Sequence, residues 1–170
     1  FPHLLRLIEG LQFDTIYPEH FSYLSLYTVS RVFEHCGLRV LDVQELGTHG
    51  GSLRVFGCHA DDPRATQPGV GQVLQAEQDA GLRDLGTYRA FQARAERIKD
   101  DLVSFLIEQK RLGKRVIGYG AAAKGNTLLN FAGVRPDLLS AICDAAPAKQ
   151  GKRMPGSHIP ILAPTILKQE

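Results

Sequence analysis

Apolar residues cluster at Leu4, Leu5, Leu7 and Ile8, one face of a helical repeat, and Gly10 ends the run, which predicts a short amphipathic helix over Leu4–Glu9. Phe13-Asp14-Thr15-Ile16-Tyr17 alternates large and small groups and is rich in β-branched and aromatic residues, so a strand is expected there. Leu26, Val29, Val32 and Phe33 return to helical spacing, with Ser22 as the expected cap and Gly37 as the stop after Cys36. Leu38–Leu46 and Ser52–Gly57 alternate as two strands, and the glycine-rich stretch Gly47-Thr48-His49-Gly50-Gly51 between them suits a hairpin. Asp61 to Gly71 has the proline and glycine content of a linker.

Beyond that linker, helices are expected over Val70–Ala80 and Thr87–Leu112. The second carries Phe91, Ala95, Ile98, Leu102, Phe105 and Leu106 on one stripe. Lys114–Gly120 then reads as a strand entering a glycine turn, Lys124–Phe131 as a helix and Leu138–Asp144 as a further strand. Strand, helix and strand in that order form a βαβ unit, which implies an α/β fold with a parallel sheet and a right-handed crossover. Neither end of the chain has the capping signals of a domain boundary: Phe1 enters a helix without a cap, and Ile166–Glu170 reads as a helix in progress.

Composition narrows the function classes. Hydrophobic residues make up 44% and charged residues 22% of the 170 positions, an ordinary globular mix. The net charge is +2 with Lys and Arg scattered, so no basic face points to nucleic acid. No apolar run approaches the roughly 20 residues that span a bilayer, and no secretory leader opens the chain, so a cytoplasmic protein is expected. Cys36, Cys58 and Cys143 are odd in number and widely spaced; they read as small buried apolar residues, with neither a disulfide framework nor a metal site expected.

Four stretches can carry chemistry. Tyr17-Pro18-Glu19-His20 places three ionisable groups in four positions, and its expected place at the end of a strand is where open α/β sheets bind ligands. An imidazole such as that of His20 works as a base near neutral pH, whereas a plain strand-to-helix turn would leave the same residues solvated. Gly118-Tyr119-Gly120-Ala121-Ala122-Ala123-Lys124-Gly125-Asn126 combines a glycine turn with a helix start, a phosphate-binding arrangement. Gly125 falls two positions late for a dinucleotide fingerprint, and Lys124 precedes that glycine, unlike a Walker A loop. Asp144 closes the next strand, close to where a ribose-binding acid is usually found. A tight βα turn built for packing explains the same residues. His49-Gly50-Gly51-Ser52-Leu53-Arg54 offers an imidazole and a guanidinium beside a flexible loop, and Lys149 to His158 is a basic loop that can close on an anion or remain a surface turn.

Taken together, these stretches resemble the sugar C-methyltransferases that act on nucleotide-linked keto-sugars. Phe13-Asp14-Thr15-Ile16-Tyr17-Pro18-Glu19-His20-Phe21-Ser22-Tyr23, Thr48-His49-Gly50-Gly51-Ser52-Leu53-Arg54-Val55, Gly118-Tyr119-Gly120-Ala121-Ala122-Ala123-Lys124-Gly125-Asn126 continuing to Asn130, and Lys149-Gln150-Gly151 with Pro155-Gly156-Ser157-His158-Ile159-Pro160-Ile161 follow one order. Pro18 is a departure, since the family usually carries histidine there. The resemblance implies that residues 1–60 are the last strands and helix of a class I S-adenosylmethionine-dependent methyltransferase sheet. It makes residues 61–83 a linker and helix, and residues 84–170 an incomplete Rossmann-like C-terminal domain, the chain being truncated at both ends. The S-adenosylmethionine loop is then expected upstream, and the piece alone is expected to be inactive.

The resemblance further implies methyl transfer to C3 of a nucleotide-linked 4-keto-6-deoxy sugar. His20 takes the proton, Tyr17 and Glu19 place the substrate, and His49, Arg54, Gly118, Gly120, Lys124, Gly125, Asn126, Asp144 and His158 bind it. Two other readings stay open on the residues: an NAD(P)-dependent oxidoreductase built on the βαβ unit, and a non-catalytic nucleotide-binding module.

Overall fold

The computed structural model describes residues 1–168. The fold is mixed α/β with two small sheets, and it divides into two compact units: Phe1–Phe13 with His20–Arg94, and Asp14–Glu19 with the residues from Ala95 onward.

In the first unit, β1 (Leu38–Leu46) and β2 (Ser52–His59) form an antiparallel hairpin that pairs Leu38 with His59 at one end and Leu46 with Ser52 at the other. A bulge between Val40 and Asp42 shifts the alternation by one residue. Val40 and Val43, three positions apart, are therefore both buried, with Leu26, Leu53, Val70 and Val73 in the same cluster. Two helices supply the rest of that cluster: α2 (Leu26–His35) and α3 (Pro68–Asp79), whose first residue is a proline with φ already set for a helix. The expected α1 is present over Leu4–Glu9 and packs Leu5, Leu7 and Ile8 with Leu82.

The cap of α2 differs from the expectation. Ser25, not Ser22, accepts the Thr28 N–H at 3.0 Å, while Leu26 N and Tyr27 N donate to the Glu77 carboxylate at 2.5 and 2.9 Å. The buried carboxylate of α3 thus satisfies the first two N–H groups of α2 and fixes where that helix starts. The same carboxylate holds His3, whose Nε2 lies 2.7 Å from Oε1 with both side chains almost fully buried. Cys36 is also a correction: it ends α2 on the surface and is exposed, whereas Cys58 and Cys143 are buried as expected.

The predicted strand over Phe13–Tyr17 is instead a 3-10 turn at Phe13–Thr15, followed by a Tyr17 N–H bond to Thr15 O at 3.1 Å. Alternation makes a strand only where a neighbouring ladder exists, and no described strand pairs with this segment. Tyr17-Pro18-Glu19-His20 therefore follows a turn instead of ending a strand.

The second unit contains a parallel sheet in the order β3 (Ile117–Tyr119), β4 (Ala141–Cys143), β5 (Ile161–Leu162), with α5 (Ala123–Phe131) as the crossover between the first two. Leu129, Val134, Ile142, Met154 and Ile159 form its core together with Leu106 of α4 (Leu85–Arg111). The expected stripe of α4 is only partly used: Ala95 and Leu106 are buried, while Phe105 is 51% exposed. Gly156 has φ +76°, and an added Cβ would collide with the Asn130 side-chain amide, whose Nδ2 donates to Pro155 O at 2.9 Å.

Two stability outcomes follow. Gly156→Ala should lower the unfolding free energy by about 1–2 kcal/mol, the usual cost of a side chain in the left-handed region, as read by urea denaturation. Burial pushes the Glu77 carboxyl up, but the His3 bond and the Tyr27 and Leu26 N–H groups outweigh it and hold its pKa below the ordinary value. A carboxyl lowered in the fold contributes stability that is complete above its unfolded pKa, about 4.3, and is lost as pH falls through the folded value. The difference in Tm between the wild-type protein and Glu77→Gln should therefore be largest at neutral pH and shrink on acidification below about pH 4.3. A difference that stays constant from pH 7 to 3 would contradict this.

Candidate functional site

The first unit contains an open cavity of about 570 Å³ whose lining includes His20, His49 and Arg54, with Phe1, Thr48 and Ser52. All three residues singled out from sequence in this unit thus share one cavity. His20 is half-buried, and the Tyr23 hydroxyl donates to its carbonyl at 3.3 Å, which ties down the turn from which the imidazole projects. His49 sits in the left-handed region with φ +55° and ψ 27°, a conformation rarely taken by a residue with a Cβ. Two neighbours explain why it stays there. Gln12 Nε2 donates to Gly50 O at 3.0 Å, and Gly51, at φ +123°, lies so close to the Arg6 side chain that a Cβ would meet Arg6 Cγ at 2.6 Å. Ser52 Oγ closes the turn by donating to Thr48 O at 3.0 Å. Arg54 lies opposite Gln44 in the ladder, its Nη1 3.4 Å from the amide oxygen, and is exposed.

No carboxylate is among the described lining residues of this cavity. Two imidazoles and a guanidinium can accept a proton and stabilise a developing oxyanion, which is the equipment for removing an acidic C–H. Tyr17 is half-buried and Glu19 exposed, both in the segment Asp14–Glu19 that groups with the second unit.

In the second unit, the glycine turn after β3 is shaped by Asp144. Ala121 N donates to Asp144 Oδ2 at 2.7 Å, Ala146 N donates to Oδ1 at 2.8 Å, and Lys149 Nζ bridges Oδ2 at 3.1 Å and Ala121 O at 2.8 Å. The Ala146 N–H and Lys149, with the Ala121 N–H, hold this carboxyl below the usual range against the effect of burial. Both oxygens are engaged by the chain itself, so Asp144 acts on the loop. Gly120, at φ +95°, turns the backbone into α5, whose start at Ala122 has no side-chain cap. Gly118 lies in the strand against Ile142; Lys124, Gly125 and Asn126 form the first turn of the helix and are half-buried, with Asn126 Oδ1 buried and without a partner among the described residues. His158 is exposed at φ +60°, in a turn where Arg153 Nη1 donates to its carbonyl at 3.1 Å. Of the basic side chains in this loop, Arg153 thus bonds within its own turn and Lys149 reaches out to Asp144 and Ala121.

Sequence reasoning passed over His3 and Glu77. The available signal was Glu77 itself, at the seventh position after Val70 and the fourth after Val73, on the buried face of α3. Among the described residues there is no cluster of His, Cys, Asp and Glu suited to a metal, and no helix long and apolar enough to cross a membrane. Asp144→Ala should speed amide hydrogen exchange at Ala121 and Ala146 while leaving the β1–β2 amides unchanged, as read by NMR. Unchanged exchange at Ala121 would show that the turn does not depend on this carboxylate.

The family profile described as the C-methyltransferase C-terminal domain matches residues 47–170. The C-methyltransferase NovU of Streptomyces niveus is 40% identical over 163 residues, covering 96% of this chain and 39% of that protein. The chain therefore spans about two fifths of the length of this curated relative. It belongs to the C-methyltransferase family and carries that family's C-terminal domain.

Proposed function

We propose that the full protein transfers a methyl group from S-adenosylmethionine to C3 of a nucleotide-linked 4-keto-6-deoxy sugar, with His20 as the base. The observation that carries this reading is the single cavity lined by His20, His49 and Arg54 without a carboxylate among its described lining residues. A hydrogen on carbon next to a ketone becomes acidic once the enolate oxygen is stabilised. His20 accepts the C3 proton, while His49 and Arg54 supply hydrogen-bond donors to the oxygen of the C4 ketone as it gains charge. The carbon nucleophile so formed would take the methyl group as the sulfur–methyl bond breaks and its electron pair stays on a neutral thioether; the C4 ketone re-forms, and the proton remains on the imidazole. Tyr17 and Glu19, three residues and one residue before His20, help to place the sugar.

S-adenosylmethionine supplies an electrophilic methyl group when bound, and no residue of this chain is assigned to it. Against that donor at the glycine turn after β3, the acid that would read an adenosine ribose, Asp144, already accepts three hydrogen bonds, from Ala121, Ala146 and Lys149. We assign that turn to the diphosphate of the sugar nucleotide. Gly118, Gly120 and Gly125 keep the backbone open, the uncapped start of α5 offers N–H donors, and Lys124 supplies a counter-charge, with Asn126 and His158 as further polar contacts. The α/β character of both units fits the end of a class I methyltransferase sheet, residues 1–60, followed by a Rossmann-like domain from residue 84.

Each assignment has its own test in the full-length protein. His20→Asn should lower kcat by about 100- to 10,000-fold, the usual worth of a positioned base, with the fold retained by circular dichroism. Undiminished methyl transfer removes His20 from the role. Lys124→Ala should weaken nucleotide-sugar binding in calorimetry by roughly 10-fold, in the range of one charge-assisted contact. Equal affinity would move the diphosphate elsewhere.

A further inference from the structure

We propose that Glu77, with His3, is the positioning device of the His20 cavity, an inference that rests on the reading of that cavity as the site of proton removal. Glu77 does not line the cavity, yet its carboxylate is the point where two of the cavity's supporting segments meet.

The first segment is Phe1-Pro2-His3. His3 N donates to Gly51 O at 3.0 Å, Pro2 bridges Ser52, and Leu53 N donates to Phe1 O at 2.9 Å, so these residues lie along the wall that also carries Ser52 and Arg54. Their position is fixed from the other side by the His3 imidazole, 1% exposed, whose Nε2 is 2.7 Å from Glu77 Oε1. Against a carboxylate that already accepts two backbone N–H groups, Nε2 carries the proton and donates. His3 Nδ1 is buried with no partner among the described residues, so the ring's hydrogen-bonded orientation depends on Glu77 alone.

The second segment runs from His20 into α2. It is tied at Leu24, which bridges His3 and accepts the Leu4 N–H at 3.0 Å, and at Leu26 and Tyr27, whose N–H groups both end on Glu77. Loss of the carboxylate's charge loosens the His3 strand and the start of α2 together. A buried imidazole–carboxylate contact is weak support for stability as such, and the best-attested use of buried polar contacts of this kind is to fix register. Here the register fixed is that of His20 relative to the wall bearing Arg54 and Ser52. A shift of about 1 Å at such a distance from the chemistry costs on the order of 100-fold in rate.

The experiment compares Glu77→Gln, His3→Gln, the double variant and His20→Asn in the full-length protein, with kcat and both KM values measured and the folded fraction followed by circular dichroism. Glu77→Gln is expected to lower kcat roughly 10- to 100-fold while the KM for the methyl donor stays unchanged. His3→Gln, which leaves the two N–H bonds to Glu77 in place, should fall in the same direction, and the double variant should be no worse than the more impaired single one. A purely structural role predicts something else: loss in proportion to unfolded protein, with kcat per folded molecule unchanged. That result, or wild-type kcat in folded His3→Gln, overturns the inference; should Glu77→Gln fail to fold, His3→Gln decides it. Inactive His20→Asn beside fully active Glu77 and His3 variants would sink this inference alone, and a fully active His20→Asn would sink the site and the inference together.

Discussion

A carboxylate kept inside a protein is stable only if donors replace the water it has lost, and both units of this chain are arranged around that requirement. Glu77 is 2% exposed and receives the His3 imidazole and two N–H groups of α2; Asp144 is 8% exposed and receives two loop N–H groups and Lys149. The donors to Glu77 come from segments distant in sequence, and those to Asp144 join the distant Ala121 to the nearby Ala146 and Lys149, so each side chain fixes more than one segment at once. An apolar side chain in either position could fill the volume but could not choose which backbone N–H groups converge on it.

That constraint explains how such small sheets present organised loops. The parallel sheet has strands of three, three and two residues, too short to dictate the geometry beyond their ends by ladder bonds alone. Asp144 extends the order outward: from the end of β4 it reaches across to the turn after β3 and forward to Lys149. In the first unit the hairpin is longer, but the loop that bears His49 depends on contacts from outside the hairpin, with Gln12 on Gly50 and Arg6 against Gly51. Both glycines are therefore as much packing residues as turn residues.

The parts of the fold legible in the sequence are those set by local periodicity. The helix at Leu4–Glu9, the hairpin strand Leu38–Leu46 and the strand–helix–strand order after Gly113 all appear where the pattern puts them, because near neighbours decide them. The misses share a cause. Phe13–Tyr17 has the alternation of a strand but lies in no ladder with a described strand; Ser22 has the chemistry of a cap, but Glu77 of another helix sets the start of α2 at Leu26; β5, two residues long, has no period to read. The candidate site was legible in the same uneven way. His20 was visible in a stretch of ionisable groups and His49 and Arg54 beside a glycine-rich loop, and one cavity joins them, whereas the bonds of Asp144 to Ala121, Ala146 and Lys149 were hidden because spacing shows where an acid stands but not which donors reach it.

The contrast between the cavity and these buried acids bears on the chemistry. Glu77 and Asp144 have pKa values held low by the donors around them, so neither is suited to accept a proton near neutral pH. An imidazole has its ordinary value close to neutrality, and a guanidinium beside it stays charged throughout. The first unit therefore separates two tasks by residue type: the carboxylate fixes the scaffold, and the nitrogen bases face the open volume. The described lining of that volume holds only neutral or cationic side-chain groups, so the proposed removal of an α-proton has a chemically suitable group there for each part, acceptance of the proton and stabilisation of the oxyanion.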